Sequence, residues 1–198
     1  MMTLYSGVTC PWSQRCRIVL FEKGMDFDVV DVDMFGKPDE IAQQNPHGIV
    51  PVLEDRDLVL HIPNIINEYI DERFPHPQLM PPDPASRARA REMLFSLEEH
   101  IFCYLPALEK GGKAAEKARL ELSEKLLQFC LPLKRQTFLF GEDFTLLDVA
   151  MAPLLWRLDH YGIKLPKTAA PLMKYAERIF SRQGFIDALT PSEKAMRK

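Results

Sequence analysis

No stretch of this sequence approaches the roughly 20 consecutive apolar residues that cross a bilayer. Its opening residues, Met-Met-Thr-Leu-Tyr-Ser-Gly, also lack the basic and apolar regions of a secretory signal. A cytoplasmic protein without membrane attachment is expected. Basic charge is not in excess either: 25 lysines and arginines stand against 28 acidic residues, a formal net charge of −3. That balance removes a general electrostatic drive toward nucleic acid or an anionic membrane, so direct specific DNA binding is not expected. Cysteine is scarce and unpatterned. The four thiols, at positions 10, 16, 103 and 130, have neither the paired spacing of a zinc site nor a disulfide framework, and a reducing compartment keeps such thiols free. No metal is expected. Internal repeats are absent, and the one biased segment is a cluster of prolines.

What is present is a chain of 198 residues, 46% hydrophobic, enough for one large domain or two small ones. Residues 3–6, Thr-Leu-Tyr-Ser, predict a strand. From Pro11 the pattern turns helical, with Trp12, Cys16, Val19 and Leu20 on one stripe until Gly24 stops it. Residues 27–34 alternate as a second strand, residues 37–48 predict a short helix, and residues 51–60 give two strands across a turn at Asp55 to Asp57. A further helix places Ile62, Ile65, Ile66, Tyr69 and Ile70 on one stripe, with Pro63 at a first position that needs no N–H. The order βαβαββα is that of the thioredoxin fold.

Residues 75–84 then hold five prolines in ten positions, which excludes a regular helix and marks a linker. Beyond it everything reads as helix. Leu94, Leu97, Ile101, Leu105 and Leu108 form a core stripe ended by Gly111-Gly112, and residues 113–131 form a second helix stopped by Pro132. Residues 144–162 are the most apolar, and Thr145 with Asp148 has capping-box spacing, Asp standing in for Glu. Two short helices, around 172–182 and 185–189, finish the chain. The expected architecture is therefore α/β plus all-α: a thioredoxin-like domain over 1–74, a linker over 75–84 and an all-helical domain over 85–198.

Cys10 stands between the first strand and the first helix, where exposed N–H groups and the helix dipole favour a thiolate. Cys10-Pro11-Trp12-Ser13 suits monothiol chemistry, since serine cannot release a mixed disulfide internally. Cys16 is no resolving partner, because six residues along one helix place it about 9 Å away and on another face. An unreactive thiol at a turn fits the same residues. Val50-Pro51 is expected to be cis, as at the corresponding turn of thioredoxin folds. The Val50 backbone would then offer paired N–H and C=O groups to an extended peptide such as glutathione, or form only a turn. Cys103, Cys130, Trp12 and Trp156 are read as core; His47, His61, His100 and His160 have no partner constellation.

The Cys-Pro-Trp-Ser stretch, the segment Asn45–Leu60, residues 68–81 and the helix from Phe144 together resemble the glutathione S-transferase fold over nearly the whole chain. More narrowly, residues 68–81, the following Asp83–Arg91 and Ala152–Leu158 resemble the stringent starvation proteins, the RNA-polymerase-associated group within that fold. That resemblance implies a homodimeric transcription regulator whose Pro75-His76-Pro77 motif contacts the transcription machinery. Proline on both sides would present the His76 ring at little ordering cost, although a stiff linker has the same composition. Glutathione-binding members carry Glu-Ser where this chain has Ile62-Pro63. About two or three charge-assisted hydrogen bonds, each worth about 1.5 to 3 kcal/mol, are thereby missing, with Asn64 offering a donor at the next position. The alternative the fold implies is an omega-like or glutaredoxin-like thiol transferase with Cys10 as nucleophile and glutathione on Val50, Pro51 and Asn64; a redox sensor using Cys10 would combine the two. Tyr5 lies where some transferase classes keep an activating tyrosine, a role the neighbouring Cys-Pro displaces. Arg87, Arg89 and Arg91 begin a helix whose dipole disfavours them, so a partner compensates or they form a solvated face.

Overall fold

The computed structural model describes residues 2–32 and 50–197. The helix expected over 37–48, and His47 with it, lie outside the described residues. Strand β1 (Met2–Gly7) pairs in parallel with β2 (Asp28–Val32) and antiparallel with β3 (Val52–Asp55), which pairs with β4 (Leu58–Leu60). The sheet order is β2-β1-β3-β4. Leu4 faces Val29 on one side and Leu53 on the other, and Leu4 and Leu53 are fully buried.

Helix α1 (Pro11–Lys23) is started by Cys10 as N-cap and closed by Gly24 in the left-handed region, φ 59°. Helix α2 (Pro63–Arg73) has Pro63 in its first turn, as its missing N–H allows. Its buried face differs from the expected stripe. Ile66 and Ile70 are fully buried, with Asn67 and Asp71 beside them, whereas Ile62 and Ile65 are 54% and 49% exposed. The core takes the two i,i+4 pairs 66/70 and 67/71, and the first turn is left facing out.

The helical half comprises α3 (Pro84–His100), α4 (Leu105–Lys110), α5 (Gly112–Leu127), α6 (Leu146–Trp156) and α7 (Ala170–Phe180). The stripe from Leu94 to Leu108 is buried throughout, yet it spans two helices, because the chain breaks at Ile101 into a 3-10 turn, Phe102–Tyr104. That turn carries Cys103 to the surface, where it is exposed rather than core. Trp12 and Trp156 are half-buried, the latter stacked edge-on against Phe180 with the Arg197 guanidinium over its ring. The chain ends in α8 (Gln183–Ala188) and α9 (Pro191–Lys194); α9 was not foreseen, although Thr190 and Glu193 form its capping box.

By compactness the chain divides into Met1–Leu79 with Arg182–Ala195, and Met80–Ser181 with Met196–Lys198. The segment 182–195, expected in the all-helical domain over 85–198, groups by compactness with the sheet, and residues 75–79 of the expected linker group there too. In the first unit, Arg182 pairs in bidentate fashion with Glu22 of α1, at 2.9 and 2.7 Å.

The second unit is organised around Asp148, which is fully buried at the start of α6. Its Oδ1 accepts from Leu139 N at 2.9 Å and from the Tyr175 hydroxyl at 2.7 Å, while Oδ2 accepts from Thr145 N at 2.8 Å. The capping box is thus present and extended into the core. Burial pushes the Asp148 carboxyl up, against the pull of these donors, and burial also raises Tyr175. Asp148→Asn turns one acceptor oxygen into a donor facing N–H or O–H groups. It should cost about 2 to 3 kcal/mol in denaturant unfolding; a loss below about 0.5 kcal/mol would contradict the role given to this carboxylate.

Candidate functional site

Two candidate surfaces lie in the first unit. The first surrounds Cys10, which is half-exposed. Its Sγ accepts from Ser13 N at 3.4 Å and lies 3.8 Å from the Val50 carbonyl, toward which the thiol donates. Val50-Pro51 is cis, and Val50 and Val32 form a small buried cluster against which Tyr5 and Cys10 pack. Cys10, Val50 and Pro51 are therefore brought together as expected. The approach depends on Gly7: a Cβ there would lie 2.8 Å from the Cys10 Cβ and 2.9 Å from Val50 Cγ2, closer than side chains pack. Ser13 Oγ accepts from Gly7 N at 3.0 Å, tying the loop back to α1. Tyr5 donates its hydroxyl to Glu54 at 3.2 Å, so its oxygen is engaged across the sheet.

The loop before Cys10 is also fixed from behind. Arg17, buried in α1, places Nη2 at 2.7 Å from both oxygens of Glu193. Its Nη1 reaches Ser6 Oγ and, at 3.2 Å, the Gly7 carbonyl, and Nε reaches the Ala188 carbonyl at 2.9 Å. Thr190 Oγ1 adds a bond to the Val8 carbonyl at 2.8 Å. Sequence reading found none of these partners; the one available signal was the Thr-Pro-Ser-Glu capping pattern at 190–193.

The resemblance to glutathione-binding proteins directs attention to the start of α2. There Ile62 is the N-cap with no side-chain capping bond, Pro63 follows, and Asn64 is half-buried at the next position. Neither Ile62 nor Pro63 has a side chain able to hold a carboxylate or an amine. Cys16 points its Sγ to within 3.9 Å of the Pro63 carbonyl, and burial pushes its thiol far up.

The second surface lies beyond the other end of α2, about 16 Å away along that 11-residue helix. Pro75, His76 and Pro77 are all exposed, and His76-Pro77 is cis. Beneath them Lys23 Nζ donates to Asp71 Oδ1 at 2.5 Å and to the Pro77 carbonyl, and Asp71 Oδ1 accepts from Leu79 N at 2.8 Å. Arg73 bonds Asp55 at 2.9 Å, which also accepts from the Tyr69 hydroxyl at 2.8 Å. In the second unit Arg87 donates to the Pro81 carbonyl at 3.0 Å, so this arginine has a use within the chain. His61, His100 and His160 are exposed. Among the described residues no group of histidine, cysteine and carboxylate side chains could hold a metal ion, and no helix is long and apolar enough to cross a membrane.

Accessibility separates the four thiols. Under native conditions at neutral pH a maleimide should label Cys10 and the exposed Cys103, while Cys16 and Cys130 react only after unfolding. Labelling of Cys16 at the rate of Cys103, read by peptide mapping, would contradict its burial.

Residues 1–72 match the glutathione S-transferase N-terminal domain family and residues 93–183 the C-terminal domain family. A stringent starvation protein A homolog of Coxiella burnetii is 41% identical over 100% of this chain and 96% of its own length. Rat glutathione S-transferase omega-2 is 30% identical over 88% of this chain and 72% of its own length. A glutathione transferase structure from Methylococcus capsulatus superposes with a TM-score of 0.87 at 26% identity, covering 98% of this chain and all of that one. The chain belongs to the glutathione S-transferase family, and within it to the group whose members are named stringent starvation protein A homologs.

Proposed function

We propose that this protein is an RNA-polymerase-associated transcription regulator of starvation or stress, working in the cytoplasm as a homodimer and without glutathione transferase activity. The observation that carries the reading is the exposed Pro75-His76-Pro77 segment, in a chain similar along its full length to a stringent starvation protein A homolog. Exposed side chains on a backbone already held in place bind with little further ordering cost. The acidic charge balance fits a role through a protein partner rather than through DNA. No cofactor is needed for this role.

A second reading is favoured by one observation, the seating of Cys10 Sγ on the Ser13 amide in the first turn of α1, beside the Val50 carbonyl. A thiol placed there suits attack on a mixed disulfide, as in a glutathione-dependent thiol transferase. What opposes it is the start of α2, where Ile62-Pro63 supplies neither hydroxyl nor charge.

RNA polymerase should co-purify with the unmodified protein, and His76→Ala should weaken capture by about tenfold or more while thermal unfolding is unchanged. Absence of polymerase from the unmodified protein's eluate would sink the leading reading. Immobilised glutathione should fail to retain the protein, and Ile62→Glu with Pro63→Ser should raise retention. Strong retention of the unmodified chain, with mixed-disulfide turnover abolished by Cys10→Ser, would establish the second reading instead.

A further inference from the structure

We infer that the buried Lys23–Asp71 pair is a positioning device for the Pro75-His76-Pro77 surface, an inference that rests on the reading of that surface as the polymerase contact. The segment 75–79 has little means of ordering itself. Pro75 and Pro77 carry no N–H, so the backbone donors left are those of His76, Gln78 and Leu79. Order comes from below. The Lys23 ammonium, its side chain wholly buried, bonds both the Asp71 carboxylate and the Pro77 carbonyl. The same carboxylate oxygen takes the Leu79 N–H. At the near end, Phe74 N bonds the Ile70 carbonyl at 2.9 Å and closes α2. Pro75 to Gln78 are thus exposed on a backbone gripped at 74, 77 and 79.

A buried ion pair is a poor choice if the only task is to join α1 to α2, because apolar packing does that as well or better. What apolar side chains cannot do is hold the Pro77 carbonyl and the Leu79 N–H. Lys23 and Asp71 touch no partner in this scheme. They act through the backbone of the residues that do.

The test uses the full-length protein with Lys23→Met and with Lys23→Met/Asp71→Leu, the second leaving no unpaired buried charge should the first fail to fold. Amide hydrogen exchange at Leu79 should quicken by about tenfold or more in the double variant while exchange in α6 is unchanged. Polymerase capture should fall by about tenfold, although every residue of the exposed motif is intact. Asp71→Asn keeps an acceptor oxygen for the Leu79 N–H and should give intermediate values of both. Unchanged exchange at Leu79 in the folded double variant would overturn the clamp. Faster exchange with undiminished capture would overturn its role in binding. If the unmodified protein captures no polymerase, the functional reading fails, and the exchange measurement alone decides whether the clamp exists.

Discussion

The first unit depends on one constraint, the burial of two cationic side chains of α1, Arg17 and Lys23. Those side chains are 4% and 0% exposed, and a charge taken out of water must find a counter-charge and fill its donors or be excluded. Glu193 and Asp71 meet that demand. Neither cation is satisfied by its carboxylate alone, and the remaining donors fall on backbone carbonyls and a hydroxyl: Ser6, Gly7 and Ala188 for Arg17, Pro77 for Lys23. One helix therefore holds the loop before Cys10 at one end and the Pro75–Leu79 segment at the other. It also explains why residues 182–195 belong to this unit, since Glu193 is required where Arg17 is buried.

The two candidate surfaces share this support but differ in completeness. Around Cys10 the sulfur lies between the Ser13 amide and the Val50 carbonyl. At the start of α2 Ile62 caps the helix without a side-chain bond and Pro63 follows. On the Pro75-His76-Pro77 surface the side chains are exposed and the backbone is held from inside. Cys10 thus stands beside the Val50 carbonyl, while Ile62 and Pro63 bring neither a charge nor a hydroxyl to the start of α2.

What could be read from the sequence is what the chain decides locally. Cys10-Pro11 marks a helix start, Val50-Pro51 a turn, and Thr145 with Asp148 a cap, because each signal lies within four consecutive residues. The ion pairs were illegible for the opposite reason. Arg17 and Glu193 are 176 positions apart and Lys23 and Asp71 are 48 apart, and nothing in either neighbourhood announces the other. Cys103 misled because its neighbours Ile101, Phe102 and Leu105 are buried; a 3-10 turn replaces the helical period there and rotates the thiol outward. Ile62 and Ile65 extend an apolar pattern past the point where packing uses it. The polar residues Asn67 and Asp71 took the buried positions, Asp71 because Lys23 and the Leu79 amide lie opposite.

The choice between the two surfaces is tested most directly by measuring binding of purified protein to purified RNA polymerase, with and without saturating glutathione and with Cys10→Ser alongside. The expected result is polymerase binding that neither glutathione nor the loss of the thiol alters, with no heat of glutathione binding in calorimetry. Glutathione binding by the unmodified protein without measurable affinity for polymerase would contradict it.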